Sequence, residues 1–242
     1  DLYVKMILEN IIKLKKGAIR LNSVSSNQSD VSIQQGLFDA IKDLLVVNPI
    51  FLLGIIVICV MLIIIFKKNK TISKIRISIL FLVFYYYLCV MLTNIVGIPT
   101  LSEYIRLSRL GEAFFNPNIN LIPFSDGFSL SFILNIFLFV PLGFLCPLIS
   151  KSYQSIKNTL LIGCGLSFTI EIVQLFTLYR ATDINDLITN IVGTLIGYFC
   201  FRFTHKLVIT KSHSISDYKE PYYMRYMPIV IIVTTFILGF FS

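Results

Sequence analysis

Glu171, Gln174, Arg180, Asp183, Asp186 and Asn190 lie close together in the string EIVQLFTLYRATDINDLITN, between two long apolar runs. Side chains of these types can bind sugar or peptide groups, pair with a phosphate, or act as acid and base. An ionisable group inside a membrane-length apolar run costs roughly 2.5–3.5 kcal/mol on insertion scales, so its presence there is a functional hypothesis by default. Glu171 and Gln174 are three residues apart and share a helix face. Asp183, Asp186, Asn190, Gly193 and Gly197 follow at helical spacing and predict one continuous stripe on the next helix.

Each residue also has a plainer use. Asp183 suits a helix entry, where an acid caps orphan amides and complements the dipole. Glu171 could serve only to pin helices together. Gly193 and Gly197 form a GxxxG, a common motif that lets a second helix approach closely. The acids could hold a divalent cation, but no His or Cys accompanies them, so no metal and no cofactor is expected. The histidines, His205 and His213, fall in a basic loop on the other side, which excludes a Ser-His-Asp arrangement with these acids. No phosphate-binding loop or dinucleotide fingerprint occurs. Arg106, Arg109 and Arg180 are the candidate cationic partners of the acids. Asn135 begins a third apolar run near them, and Asn120, Pro123 and Phe124 in NPNINLIPF predict a structured turn or interfacial hairpin.

The elements that must position these groups are membrane helices. The chain has 242 residues, of which 56% are hydrophobic and 14% charged, with the apolar residues in long blocks. Its mean hydropathy is +0.81. The fold class is therefore all-α, a polytopic integral membrane bundle. Six apolar runs are placed near 44–66, 77–98, 130–149, 157–178, 186–203 and 226–242. In the third, Pro141 and Pro147 predict a bent or locally unwound helix. Cys59, Cys89, Cys146, Cys164 and Cys200 all lie in apolar runs and read as buried thiols rather than a disulfide framework.

The net charge of +8 needs no nucleic acid to explain it, because the basic residues sit in the loops. Lys67, Lys68, Lys70, Lys74, Arg76, Lys151, Lys157, Arg202, Lys206, Lys211, Lys219 and Arg225 share one side if all six runs span. Arg106, Arg109 and Arg180 hold the other, so the lysine-rich side is expected in the cytoplasm and the acid–amide cluster outside. Ahead of the first run, residues 1–20 show amphipathic periodicity with a basic face, predicting an interfacial helix. Residues 21–35 read as a polar linker.

Four blocks in order, NLIPF at 120–124, NIFLFVPLGFL at 135–145, E-x-x-Q at 171–174 and RATDINDLITNIVGTLIGY at 180–198, resemble the VanZ-like family of bacterial membrane proteins. The likeness covers residues 77–242; it leaves 1–43 as amphipathic helix and linker, and 44–76 as an additional helix with a basic loop. It implies a multi-pass protein of a bacterial cell membrane that lowers susceptibility to teicoplanin-type glycopeptide antibiotics. Its partners would be membrane lipids and a lipid-linked cell-wall precursor or lipoglycopeptide. The family's recurring polar positions fall on Asn120, Asn135, Glu171, Gln174, Arg180, Asp183, Asp186 and Asn190. The leading reading is a non-transporting factor binding an anionic envelope molecule at the outer leaflet. An enzyme on a lipid-linked substrate, with Glu171, Asp183 or Asp186 as acid, base or ligand, is the alternative, followed by a permease or flippase.

Overall fold

The computed structural model describes residues 42–68, 74–112, 115, 119–120, 122, 130–177, 182–211 and 220–242. The chain divides into two compact units, residues 1–47 and 48–242. Of the first, the described residues are 42–47, with 42–45 helical. The interfacial helix expected over 1–20 and the linker over 21–35 lie outside the described residues.

The second unit is a helical bundle. A 3-10 turn, Pro49–Phe51, is opened by the Asn48 side chain, which accepts the Ile50 amide at 3.0 Å. Then come α1 (Leu52–Lys68), α2 (Lys74–Cys89), α3 (Leu101–Leu110), α4 (Leu130–Ile149), α5 (Ile156–Gln174), α6 (Ile184–Lys211) and α7 (Met227–Phe240). Among the described residues, six helical segments are long and apolar enough to cross a membrane. Large apolar side chains such as Phe137, Leu161 and Phe203 are exposed on the outside, as lipid-facing surfaces are.

Two local features go beyond the sequence expectation. The second span does not end as an α-helix but runs on as a π-helix, Val90–Val96, closed by Gly97 at φ 65°. Only a residue without Cβ adopts that backbone freely. The stretch between the second and third apolar runs contains α3. Thr100 caps it by accepting the Glu103 amide at 3.2 Å, and Gly111 ends it at φ 70°. A cap and a left-handed terminator are what a short polar helix needs at its two ends.

The core of the bundle is the crossing of α4 and α6. A Cβ built on Gly193 would stand 2.2 Å from the Ile136 carbonyl oxygen, and one on Gly197 2.0 Å from that of Val140. From the facing helix, a Cβ on Gly143 would stand 2.0 Å from the Thr194 carbonyl oxygen. The two backbones therefore touch, and only glycine fits at the contact. Gly163 lets the Thr194 side chain in from α5. Helix α4 stays α-helical through Pro141 and Pro147, so the local unwinding expected there does not occur. The Tyr87 hydroxyl donates to the Leu138 carbonyl at 2.7 Å, beside the turn that Pro141 deprives of an amide.

The helices alternate in direction, which collects the lysine-rich links at one end. There Lys68 lies over the Tyr223 ring, 5.7 Å from its centre. Tyr198 donates to the Gln154 carbonyl at 2.8 Å, and Tyr153 to that of Arg225 at 2.9 Å. Burial is the main cause pushing the Tyr153 phenol up to about 12, so it stays a neutral donor at neutral pH.

Candidate functional site

The opposite end carries the polar cluster. Helix α5 buries Thr159, Ile162, Gly163, Leu166, Ser167, Ile170, Glu171 and Gln174 along one stripe, so the face that is apolar deep in the bundle turns polar toward its end. That stripe meets α6, whose buried polar residues are Asn185, Thr189, Asn190 and Thr194. Asn135 comes from the first turns of α4.

Glu171 is 6% exposed, and its Oε2 accepts the backbone amide of Asp183 at 3.2 Å. Asp183 does not lie on α6, as the spacing predicts, but just ahead of it in a two-residue strand, β2 (Thr182–Asp183). Its Oδ1 accepts both the backbone amide and the side-chain Nδ2 of Asn185, each at 2.9 Å, which is a capping role at the entry to α6. Strand β2 pairs in parallel with β1 (Ile119–Asn120), bringing Asn120 opposite Asp183. The Asn120 side chain in turn accepts the Ile122 amide at 3.2 Å. Asn120 thus combines a local turn bond with pairing to a segment about sixty residues away. Asn135 Nδ2 donates to Asp186 Oδ1 at 2.7 Å, a charge-assisted bond between α4 and α6.

Deeper in, Asn190 Nδ2 donates to Ser167 Oγ at 2.9 Å. Gln174 and Asn190 are each 4% exposed, and among the described residues Gln174 Oε1 and Asn190 Oδ1 have no hydrogen-bond partner. Exchanging O and N on Asn190 leaves the count unchanged, because Ser167 then donates to the oxygen and the amide nitrogen is left over. An unsatisfied buried polar atom costs about 1–3 kcal/mol, so two in one end of the bundle require a reason.

Arg106 and Arg109 are exposed on α3, at this end, and Arg106 lies 4.0 Å from Glu103 within its own helix. Among the described hydrogen bonds and ion pairs, neither arginine reaches the acid–amide cluster. Arg180, Pro123 and Phe124 lie outside the described residues. The cluster also contains groups that the sequence reading passed over. Ser167 sits four residues before Glu171 and seven before Gln174, a helical spacing that could have revealed it. Asn185, 2% exposed, carries no such signal, because its burial follows from the cap geometry at Asp183. Among the described residues no group of three or more His, Cys, Asp or Glu is placed to hold a metal ion.

A bundle of six membrane-length helices with a buried carboxyl–amide cluster at one end defines a multi-pass membrane protein with a polar site. The family described as VanZ/LLP1 matches residues 51–205, and the chain belongs to that family. The match takes in α1, which the sequence reading set apart at 44–76, and ends before α7. Protein VanZ of Enterococcus faecium is 33% identical over 90 residues, which are 37% of this chain and 55% of that protein. The chain thus spans about half the length of this curated relative. No solved structure matches.

Proposed function

We propose that this protein works in a bacterial cell membrane by binding a lipid-linked or anionic envelope molecule at the outer leaflet, and so lowers susceptibility to teicoplanin-type glycopeptides. The observation that carries the reading is two buried oxygens, on Gln174 and Asn190, without a hydrogen-bond partner among the described residues, on helices that also bury the Glu171 carboxyl. Acceptors left open in a packed site select a ligand rich in donors, such as sugar hydroxyls or peptide amides. Asn135, Asp186, Asp183 and Asn120 hold that site in shape. Arg106 and Arg109, exposed at the same end, would draw in phosphate or carboxylate. The excess of Lys and Arg at the other end supports a cytoplasmic location for that end and an outer one for the cluster. The antibiotic outcome follows from the family likeness.

The test is expression in a glycopeptide-susceptible bacterium, reading the minimum inhibitory concentration of teicoplanin. The intact chain should raise it several-fold, while Glu171→Gln and Gln174→Leu should return it to the host value at equal membrane abundance. Undiminished protection in both variants would refute the assignment.

A further inference from the structure

A second feature lies at the lysine-rich end, away from the cluster. A cleft of about 640 Å³ separates α5 from α7, within the range of small-molecule sites. Its walls are Ile162 and Leu166 of α5 and Ile229, Val233 and Phe236 of α7, and its mouth is formed by Ser152, Asn158, Arg225 and Tyr226. From Arg225 to Ile237 the lining runs about 18 Å along the helix, roughly half the hydrocarbon thickness, so the cleft belongs to one leaflet. Ile229 and Val233 are 44% and 49% exposed, which leaves it open sideways to lipid.

Two observations point to an occupant. Gly165 lines the cleft, and a Cβ built on it meets nothing within 4 Å, so the wall is hollowed where a chain could lie. Arg225, exposed at the mouth, has no acidic partner among the described residues, while Lys151 and Lys157 adjoin the mouth residues Ser152 and Asn158 in the sequence. An apolar slot one leaflet deep under an unpaired guanidinium is complementary to a single lipid with an anionic headgroup. We propose that the cleft binds one anionic phospholipid of that leaflet, an acyl chain lying over Gly165 and the phosphate at Arg225.

Native mass spectrometry of the detergent-purified full chain tests this, titrating phosphatidylglycerol against phosphatidylcholine of the same acyl chains. The expected result is one retained lipid, with phosphatidylglycerol favoured roughly fivefold, the worth of one basic residue near an anionic lipid. Arg225→Gln should erase the preference while keeping a lipid bound. Gly165→Phe should remove retention of both lipids, and Val233→Trp fills the cleft from the other helix should the first variant not fold. Equal retention of the two lipids by the unaltered chain, or unchanged retention in the folded filled variants, would overturn the proposal. So would a dimer mass abolished by the same filling substitutions, since the cleft would then hold a second copy of this chain.

Discussion

Ser167 shows how a single hydroxyl conditions the candidate site. It is fully buried, and it is the described partner of the Asn190 amide. Ser167→Ala should lower the thermal midpoint in detergent by removing that bond, at a cost of about 1–3 kcal/mol. Adding Asn190→Leu should recover most of the loss, because an apolar pair of similar shape leaves nothing unsatisfied. The same double variant should fail to protect against teicoplanin, which separates the stability of the site from its use. Recovery of both readouts would mean that Asn190 is structural only. Asn135→Ala belongs at this scale too: it removes the 2.7 Å bond to Asp186 and should destabilise by about 1.5–3 kcal/mol, as expected for a bond to a charged group.

Between elements, the decisive contact is the glycine crossing of α4 and α6. Gly193→Ala or Gly197→Ala places a methyl on a backbone carbonyl oxygen of the facing helix, and a backbone cannot rotate away as a side chain can. Overpacking of a core typically costs about 1–3 kcal/mol, and these variants should reach at least the upper part of that range. Gly165→Ala is the control in the same fold. Its Cβ meets nothing within 4 Å, so replacing glycine in a helix should be neutral or stabilise by up to about 1 kcal/mol. Thermal unfolding of the three variants side by side checks the contrast, and equal melting would show that the crossing is looser than described. The GxxxG on α6 is legible in the sequence, but its partner is not. Gly143 lies between Pro141 and Pro147, where the sequence suggests a bent or locally unwound helix, and only the packed structure shows a continuous one pressed against α6.

For the molecule as a whole, the charge asymmetry makes a topological prediction. In a cysteine-free background, Glu112→Cys should react with a membrane-impermeant maleimide in intact cells. Lys151→Cys should react only after permeabilisation. Both positions are exposed, at opposite ends of the bundle, so access to solvent does not limit either reaction. The reverse pattern would place the acid–amide cluster in the cytoplasm and remove the envelope ligand from reach.

Hydropathy by itself determined that six segments are long and apolar enough to span and that the fold is all-α, since a bilayer leaves few ways to satisfy a backbone over that length. Helical spacing likewise determined that Glu171 and Gln174 share a face, because that relation is local to one helix. The structure chose the capping role for Asp183 over the stripe, two readings the sequence left open, and tertiary structure alone decided that Asn120 stands opposite it across a parallel pair. It also decided that Arg106 and Arg109 ride on a helix of their own, where Arg106 lies 4.0 Å from Glu103. The reason is physical: periodicity encodes which side of a helix is apolar, whereas partners distant in sequence are chosen by how closely backbones can pack. Here glycines at one crossing set that distance.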